Sequence, residues 1–453
     1  MNVSDMNADG AMPPGRVPHR FLPRPRTWGV LAAAAVLAIG IAIPAASFAG
    51  TSAPVTEASD DPAVVSDWNA IAVNTLTGDT SKVLPEEILY MGFVQAAVYD
   101  AVVGIEGRYT PYRFHAQAPS GASPQAAAVA AAHEILVTYV PSAQAALDAD
   151  YAASLAQLPD GPAKASGVAF GTRAADNLIR LRAHDGRNAP ILFTQPPAPG
   201  VWRPTPPTFT PMLVPWLAFV TPMLVRSATQ FGPPSPPPAL TSARYTRDFA
   251  EVKALGSADS TVRTTAQTST AKFFSGNAMV QFNTALRDQV AVRNLDIVDA
   301  ARMFAAIDMA TADIDITVWH AKYVYGFWRP ITAISLADTD GNPATSPDPS
   351  WMPLLTTPPY PEYPSGYNGV TATVSQGLAD VFQTRHLELT LTSTAVPDVR
   401  HYDSGAALRQ DVVDARVWLG IHFRTADTAA RDMGIRLADW ALGHYFQPVH
   451  GKG

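Results

Sequence analysis

Cysteine is absent from this 453-residue chain, which excludes disulfides and thiolate metal sites. Metal binding would have to rest on histidines and carboxylates. Charge is scarce as well. Asp, Glu, Lys and Arg make up 16% of the residues, below the ~25% usual in soluble domains. The formal net charge is −7, and no basic face for nucleic acid is present. Sustained period-two alternation is also missing, so an extensive sheet is not expected. No repeat of fixed period is visible. The chain is instead 47% hydrophobic and holds 41 prolines, many between residues 190 and 240.

The N-terminus has the pattern of an export signal. Arg16, Arg20, Arg24 and Arg26 precede an apolar run from Trp28 to Ala46, and Ser47-Phe48-Ala49 follows as a small-residue cleavage site. We assign residues 1–49 to a signal peptide, 50–64 to a flexible linker, 65–447 to a helical domain and 448–453 to a tail. The apolar run is close to the ~18 residues that span a bilayer. A retained anchor is therefore the alternative, and contact with a membrane would then be confined to this segment.

The rest reads as all-α. Helical spacing covers Leu84–Ile105, stopped by Gly107, and Ala122–Leu158, divided by Pro141. It continues over Ala163–Leu181, Ala243–Leu255, Ser260–Phe274 and Ala278–Arg293. Asp296–Val324 carries two more helices. Gly369–Phe382, Gly405–Trp418 and Thr428–Tyr445 complete the set. Between them lies Pro196–Pro238, whose prolines break both helix and ladder. Its aromatics, Trp202, Phe209, Trp216, Phe219 and Phe231, mark an ordered excursion packed onto the helices.

Three segments in the last third carry chemistry. Lys322 and Arg329 are seven residues apart, about two helical turns, so a helix ending at Arg329 would present both to one space. Arg329 precedes Pro330, which disfavours helix there. Ser365-Gly366 opens an apolar stretch, with Ser365 as N-cap and unpaired amides behind it, a natural anion site. Arg416 and His422 are six apart and can meet one ligand if the backbone breaks near Gly420. Each segment alone has an ordinary structural explanation: a solvated helix face, a turn, a core histidine.

In combination and order these segments resemble the vanadium-dependent haloperoxidases and the type-2 phosphatidic acid phosphatase superfamily that shares their pocket. The shared pattern is Lys, six residues, Arg-Pro; then Pro-Ser-Gly-His; then Arg, five residues, His. Lys322, Arg329 and Pro330 match the first part, Pro364, Ser365 and Gly366 the second up to its last position, and Arg416 and His422 the third. Trp319 and Tyr360 fall where pocket aromatics stand. Gln95–Val102, Gly107–Tyr112, Phe327–Ile334 and Gly420–Asp427 resemble secreted bacterial members, and the likeness covers about residues 65 to 447.

The resemblance implies an all-α helical bundle and a vanadate cofactor, with phosphate able to occupy the same site. Lys322, Arg329, Ser365, Gly366 and Arg416 would bind the oxyanion, and His422 would bind vanadium. Hydrogen peroxide and halide, or a small phosphate ester, would be the partners. The location would be exported, secreted or at the surface of a bacterium. Bundles of this kind often pair, which leaves room for a homodimer.

Tyr367 departs from the pattern, since it stands where the acid–base histidine is expected. A phenol, with pKa near 10, is poorly matched to the proton work of a group titrating near 6.5. His320, His386 and His401 are the candidate substitutes. Asp427 stands five residues after His422, one further than the carboxylate that orients this histidine in parts of the superfamily. Three readings follow. They are a haloperoxidase with an altered proton relay, which the pocket aromatics favour, a phosphatase acting through a phosphohistidine, and a non-catalytic oxyanion binder.

Overall fold

A computed structural model describes residues 61–449. The signal peptide assigned to residues 1–49 lies outside the described residues. The described residues form thirteen α-helices and one small hairpin. The first five helices are α1 (Ala63–Gly78), α2 (Leu84–Glu106), α3 (Pro124–Tyr139), α4 (Gln144–Ala156) and α5 (Pro162–Arg182). After a long excursion come α6 (Ala243–Leu255), α7 (Thr265–Phe273), α8 (Ala278–Val292) and α9 (Ile297–Tyr325). Then follow α10 (Pro330–Ser335), α11 (Gly366–Val381), the antiparallel pair β1 (His386–Thr392) and β2 (Val399–Ser404), α12 (Gly405–Trp418) and α13 (Arg424–His444).

The central element is α9. The sequence suggested two helices here, but the structure has a single one of 29 residues, about 43 Å long at 1.5 Å per residue. Asp296 caps it by accepting from the Val298 and Asp299 amides. Gly326, at φ 54°, ends it in the left-handed conformation that glycine adopts without strain. Nearly all of α9 is buried, packed between α2 and α11. The apolar helix α2 is long enough to cross a membrane, yet it is buried within the bundle.

The acids within these apolar helices are anchors. Asp100 on α2 accepts from the Tyr112, Arg113 and Phe114 amides. Asp313 on α9 accepts from Met223, Leu224 and Val225 in the proline-rich excursion. Burial pushes both carboxyls up to about 6, against the pull of those amides. The excursion is ordered, as its composition suggested. Trp202 and Trp216 are buried in it, and Phe231 packs against Trp440. Phe209 and Phe219 are instead exposed. At its start, the Trp202 amide donates to Gly326 O and the Trp328 amide to Gly200 O. The excursion therefore braces the segment that leads to Arg329.

Candidate functional site

The chain segments singled out by sequence meet where α9 ends, α11 begins and α12 turns into α13. Lys322 is in the last turn of α9, fully buried. Its Nζ donates to Pro361 O at 2.8 Å and Glu362 O at 3.0 Å. Arg329 was expected on the same helix. It lies beyond it, because Gly326 reverses the chain four residues after Lys322 and Arg329 becomes the residue preceding α10. Its Nε donates to Tyr360 O at 2.8 Å, and one terminal nitrogen donates to Ile421 O at 2.8 Å and to His422 Nε2 at 3.1 Å. The other terminal nitrogen, Nη2, is buried without a partner.

Arg416 is in the last turn of α12. One terminal nitrogen donates to Phe274 O at 3.0 Å, and its Nε has no partner. Gly420, at φ 77°, then breaks the chain where sequence required it, and His422 follows. Because Nε2 of His422 accepts from Arg329, its Nδ1 carries the hydrogen, which it donates to Glu362 Oε1 at 3.0 Å. The same oxygen accepts from the Phe423 amide at 2.9 Å. Burial, with Arg329, Lys322 and Arg416 close by, holds His422 neutral.

Ser365 occupies the N-cap position of α11, but its side chain makes no capping bond. The first helical bond runs from the Gly369 amide to Ser365 O. The amides of Gly366, Tyr367 and Asn368 therefore have no acceptor among the described residues. The Ser365 hydroxyl lies 3.4 Å from Asn368 Nδ2, and Asn368 also donates to Asp427 Oδ1 at 2.8 Å. Asp427 thus engages Asn368, and the carboxylate on His422 is Glu362.

Between these elements is a cavity of about 170 Å³, room for about five or six waters at ~30 Å³ each. Arg416, His422, Gly366, Tyr367, Trp319 and Asp315 border it, and Leu84 and Ile88 make one side apolar. Lys322 and Arg329 sit behind this surface. The Tyr360 ring stands over both cations, 5.0 Å from Lys322 Nζ and 4.8 Å from the Arg329 guanidinium, and packs 4.9 Å from Trp319. Burial lowers all three cations from their usual values, Lys322 most. It also raises three carboxyls: Asp315 and Glu362 to about 8, and Asp427 well above the usual range.

A family profile covers this part of the chain. A profile of the VCPO second helical-bundle domain matches residues 302–451. The vanadium chloroperoxidase of Curvularia inaequalis is 30% identical over 195 residues, which is 32% of this chain and 31% of that protein. Over residues 302–451 the chain is similar to the vanadium haloperoxidases. It spans about a third of the length of that curated relative. Two solved structures share its fold. The first bacterial vanadium-dependent iodoperoxidase superposes with a TM-score of 0.73 at 23% identity, over 86% of this chain and 98% of the other. A bacterial vanadium-dependent chloroperoxidase in its holo form gives 0.67 at 18% identity, with the same coverage.

Measured against the haloperoxidase pattern, Tyr367 is buried, and its hydroxyl donates to Gln281 Oε1 on α8 at 2.7 Å. Its ring lies 4.9 Å from the Arg416 guanidinium. The phenol therefore supports Arg416 and turns its proton away from the cavity. None of the candidate substitutes reaches the cavity. His320 Nδ1 meets Ala218 O at 3.1 Å, His386 pairs with Glu388, and His401 meets Thr390. Sequence reasoning passed over Glu362 and Asp315. The available signal was position: Glu362 is three residues before Ser365, and Asp315 is four before Trp319 and seven before Lys322 on one helix face.

Proposed function

We propose that this protein binds vanadate in the α9–α11–α12 cavity and acts as a haloperoxidase-like oxidoreductase on hydrogen peroxide and halide. One observation carries this reading. Two buried guanidinium groups, Arg329 and Arg416, each leave a donor nitrogen unpaired, and the amides of Gly366, Tyr367 and Asn368 are free at the start of α11. Buried unpaired cationic donors are costly and call for an anion. Their fork geometry and the helix terminus suit a tetrahedral oxyanion. The donor set fits vanadate and phosphate alike.

Lys322, Arg329 and Arg416 would neutralise the oxygens, and Ser365 and the Gly366 amide would donate to them. Nδ1–H of His422 is fixed on Glu362, so Nε2 would be the ligand atom once it exchanges its hydrogen bond from Arg329 for the oxyanion. Bound vanadate would supply Lewis-acid activation of peroxide without a change of oxidation state. The pocket's part is positioning and charge neutralisation. Trp319 and Tyr360 wall the site, whose size admits peroxide and halide.

A second reading, a non-catalytic oxyanion binder, draws on Tyr367, whose hydroxyl is committed to Gln281. Purified protein given vanadate, peroxide and bromide should brominate an indicator dye faster than free vanadate does. Vanadate binding without such turnover supports the second reading. Hydrolysis of a chromogenic phosphate ester, inhibited by vanadate, would place the chemistry with the phosphatases. Absence of vanadate and phosphate binding would remove the pocket assignment.

A further inference from the structure

With Tyr367 turned away, the cavity needs another group able to hold and release a proton. We propose that Asp315 is that group: it carries the proton of the pocket and transfers it to and from the bound reactants. The proposal rests on the oxyanion reading above.

Geometry selects Asp315. It stands on α9 two turns before Lys322, and its side chain borders the cavity together with His422, Arg416 and Gly366. Its Oδ2 is buried and has no hydrogen-bond partner; Glu362 and Asp427 each also leave one oxygen unpaired, but of the three only Asp315 borders the cavity. It faces the start of α11. A methyl group built on Gly366 would lie 3.8 Å from Asp315 Oδ1 and 3.5 Å from the Trp319 ring. The carboxyl is thus beside the free amides that would hold an oxyanion.

The competing groups are engaged elsewhere. Glu362 is bound to His422 and the Phe423 amide, and Asp427 to Asn368. Neither borders the cavity. His422 Nδ1 is fixed on Glu362, and its Nε2 faces Arg329. Tyr360, Tyr367, Arg416 and His422 surround Asp315 across the cavity, and Lys322 shares its helix.

Charge explains how an acid can stand in an anion site. An ionised Asp315 would repel an oxyanion, whereas a neutral carboxyl can donate to one. Burial pushes Asp315 up to about 8, against the pull of Lys322, so it is neutral at pH 7. A pKa near the working pH is what proton transfer requires. Bound vanadate would supply the site at which peroxide exchanges for a hydroxyl. Asp315 would give its proton to the departing hydroxyl, which leaves as water, and would recover one from an O–H bond of hydrogen peroxide. One O–H bond would break and one form, one bond from oxygen to the oxyanion centre would be exchanged for another, and nothing would be oxidised. Lys322 stabilises the transient carboxylate.

The test is Asp315→Asn, which keeps shape and removes the exchangeable proton. Vanadate binding is measured by calorimetry on either side of pH 8, in buffers of different ionisation enthalpy. Titration of the ligand itself is common to both proteins and cancels in the comparison. Wild type should lose affinity above pH 8 and take up a proton on binding there. Asp315→Asn should lose the share of both effects that Asp315 supplies, while Glu362, also raised to about 8, titrates in both proteins and cancels in the comparison. Turnover should fall about 10²-fold or more, and Tyr367→His in the same background should restore it.

Asp315→Glu, which keeps a carboxyl, should retain the proton uptake and guards against a folding defect in the Asn variant. Equal proton uptake and equal turnover in wild type and Asp315→Asn overturn the proposal. So does an affinity change in Asp315→Asn that is uniform with pH, the mark of a mere counter-charge to Lys322. Wild type that binds no vanadate overturns the oxyanion reading and this proposal with it.

Discussion

The Tyr367 hydroxyl donates to Gln281 Oε1 at 2.7 Å, and this bond sets the orientation of the whole side chain. The ring is left as a platform under Arg416. Anion binding and proton transfer are therefore separable here, because the residue in the histidine's place keeps the first and gives up the second. Burial keeps the phenol protonated throughout the working range, against the pull of Arg416.

Tyr367→Phe tests this separation. The ring stays under Arg416, so vanadate affinity should change less than about threefold, under ~1 kcal/mol. Gln281 loses its donor in a buried setting, which should cost about 1–3 kcal/mol of stability. Titration calorimetry and urea unfolding read the two quantities. A large loss of affinity would mean that the phenol takes part in binding.

Glu362 makes a second prediction, because it fixes the tautomer and the ring plane of His422. Removing such a partner typically weakens a metal site about 10- to 100-fold. Glu362→Ala should weaken vanadate by that factor. Phosphate, held by the cations and amides alone, should be affected less. Competition between the two anions measures the difference, and equal losses for both would deny Glu362 a specific role on His422.

Much of the architecture was legible because its signals are local. Ala-rich periodicity marked the helices, and Gly107 and Gly420 marked breaks that the backbone makes with positive φ. The order Lys322, Arg329, Ser365, Gly366, Arg416 and His422 named residues that the fold brings together. What was hidden depends on distant partners. Asp308, Asp313 and Asp315 interrupt an apolar stretch and read as polar positions on a helix face. Yet Asp313 anchors amides about ninety residues away. The displacement of Arg329 from the helix follows from Gly326, whose left-handed turn takes effect before the proline does. Glu362 gains its partner only when the α12–α13 turn crosses it.

Asp313 gives a third prediction. Its carboxyl holds the Met223, Leu224 and Val225 amides at 2.6–2.8 Å. Asp313→Ala leaves three donors unpaired and removes one of the ties between α9 and the excursion, the others including His320 on Ala218 O. The loss should be about 3 kcal/mol or more, at 1–3 kcal/mol per orphaned group. Limited proteolysis should then cut between residues 223 and 240 sooner than in wild type. An unchanged cleavage pattern would show that Trp202 and Trp216 hold the excursion without Asp313.

Asp308 makes stability depend on pH. It is fully buried on α9, with Asn283 Nδ2 3.2 Å from Oδ1 and no partner for Oδ2. Burial pushes it up to about 7, against Asn283 and Arg287. In the unfolded chain its pKa is about 3.9. Between those values the folded protein holds a proton that the unfolded chain has released. Stability therefore falls as pH rises from about 4 to 7, and the penalty is constant above 7. Asp308→Asn removes the penalty and can keep a hydrogen bond with Asn283. Relative to wild type its Tm should be close at pH 4, rise through pH 5–7 and level off above. Asp100 and Asp313 titrate in both proteins, so their effects cancel in the difference. A Tm difference that is flat from pH 5 to 8 would mean that Asp308 is ionised in the folded bundle, with Arg287 close enough to compensate it.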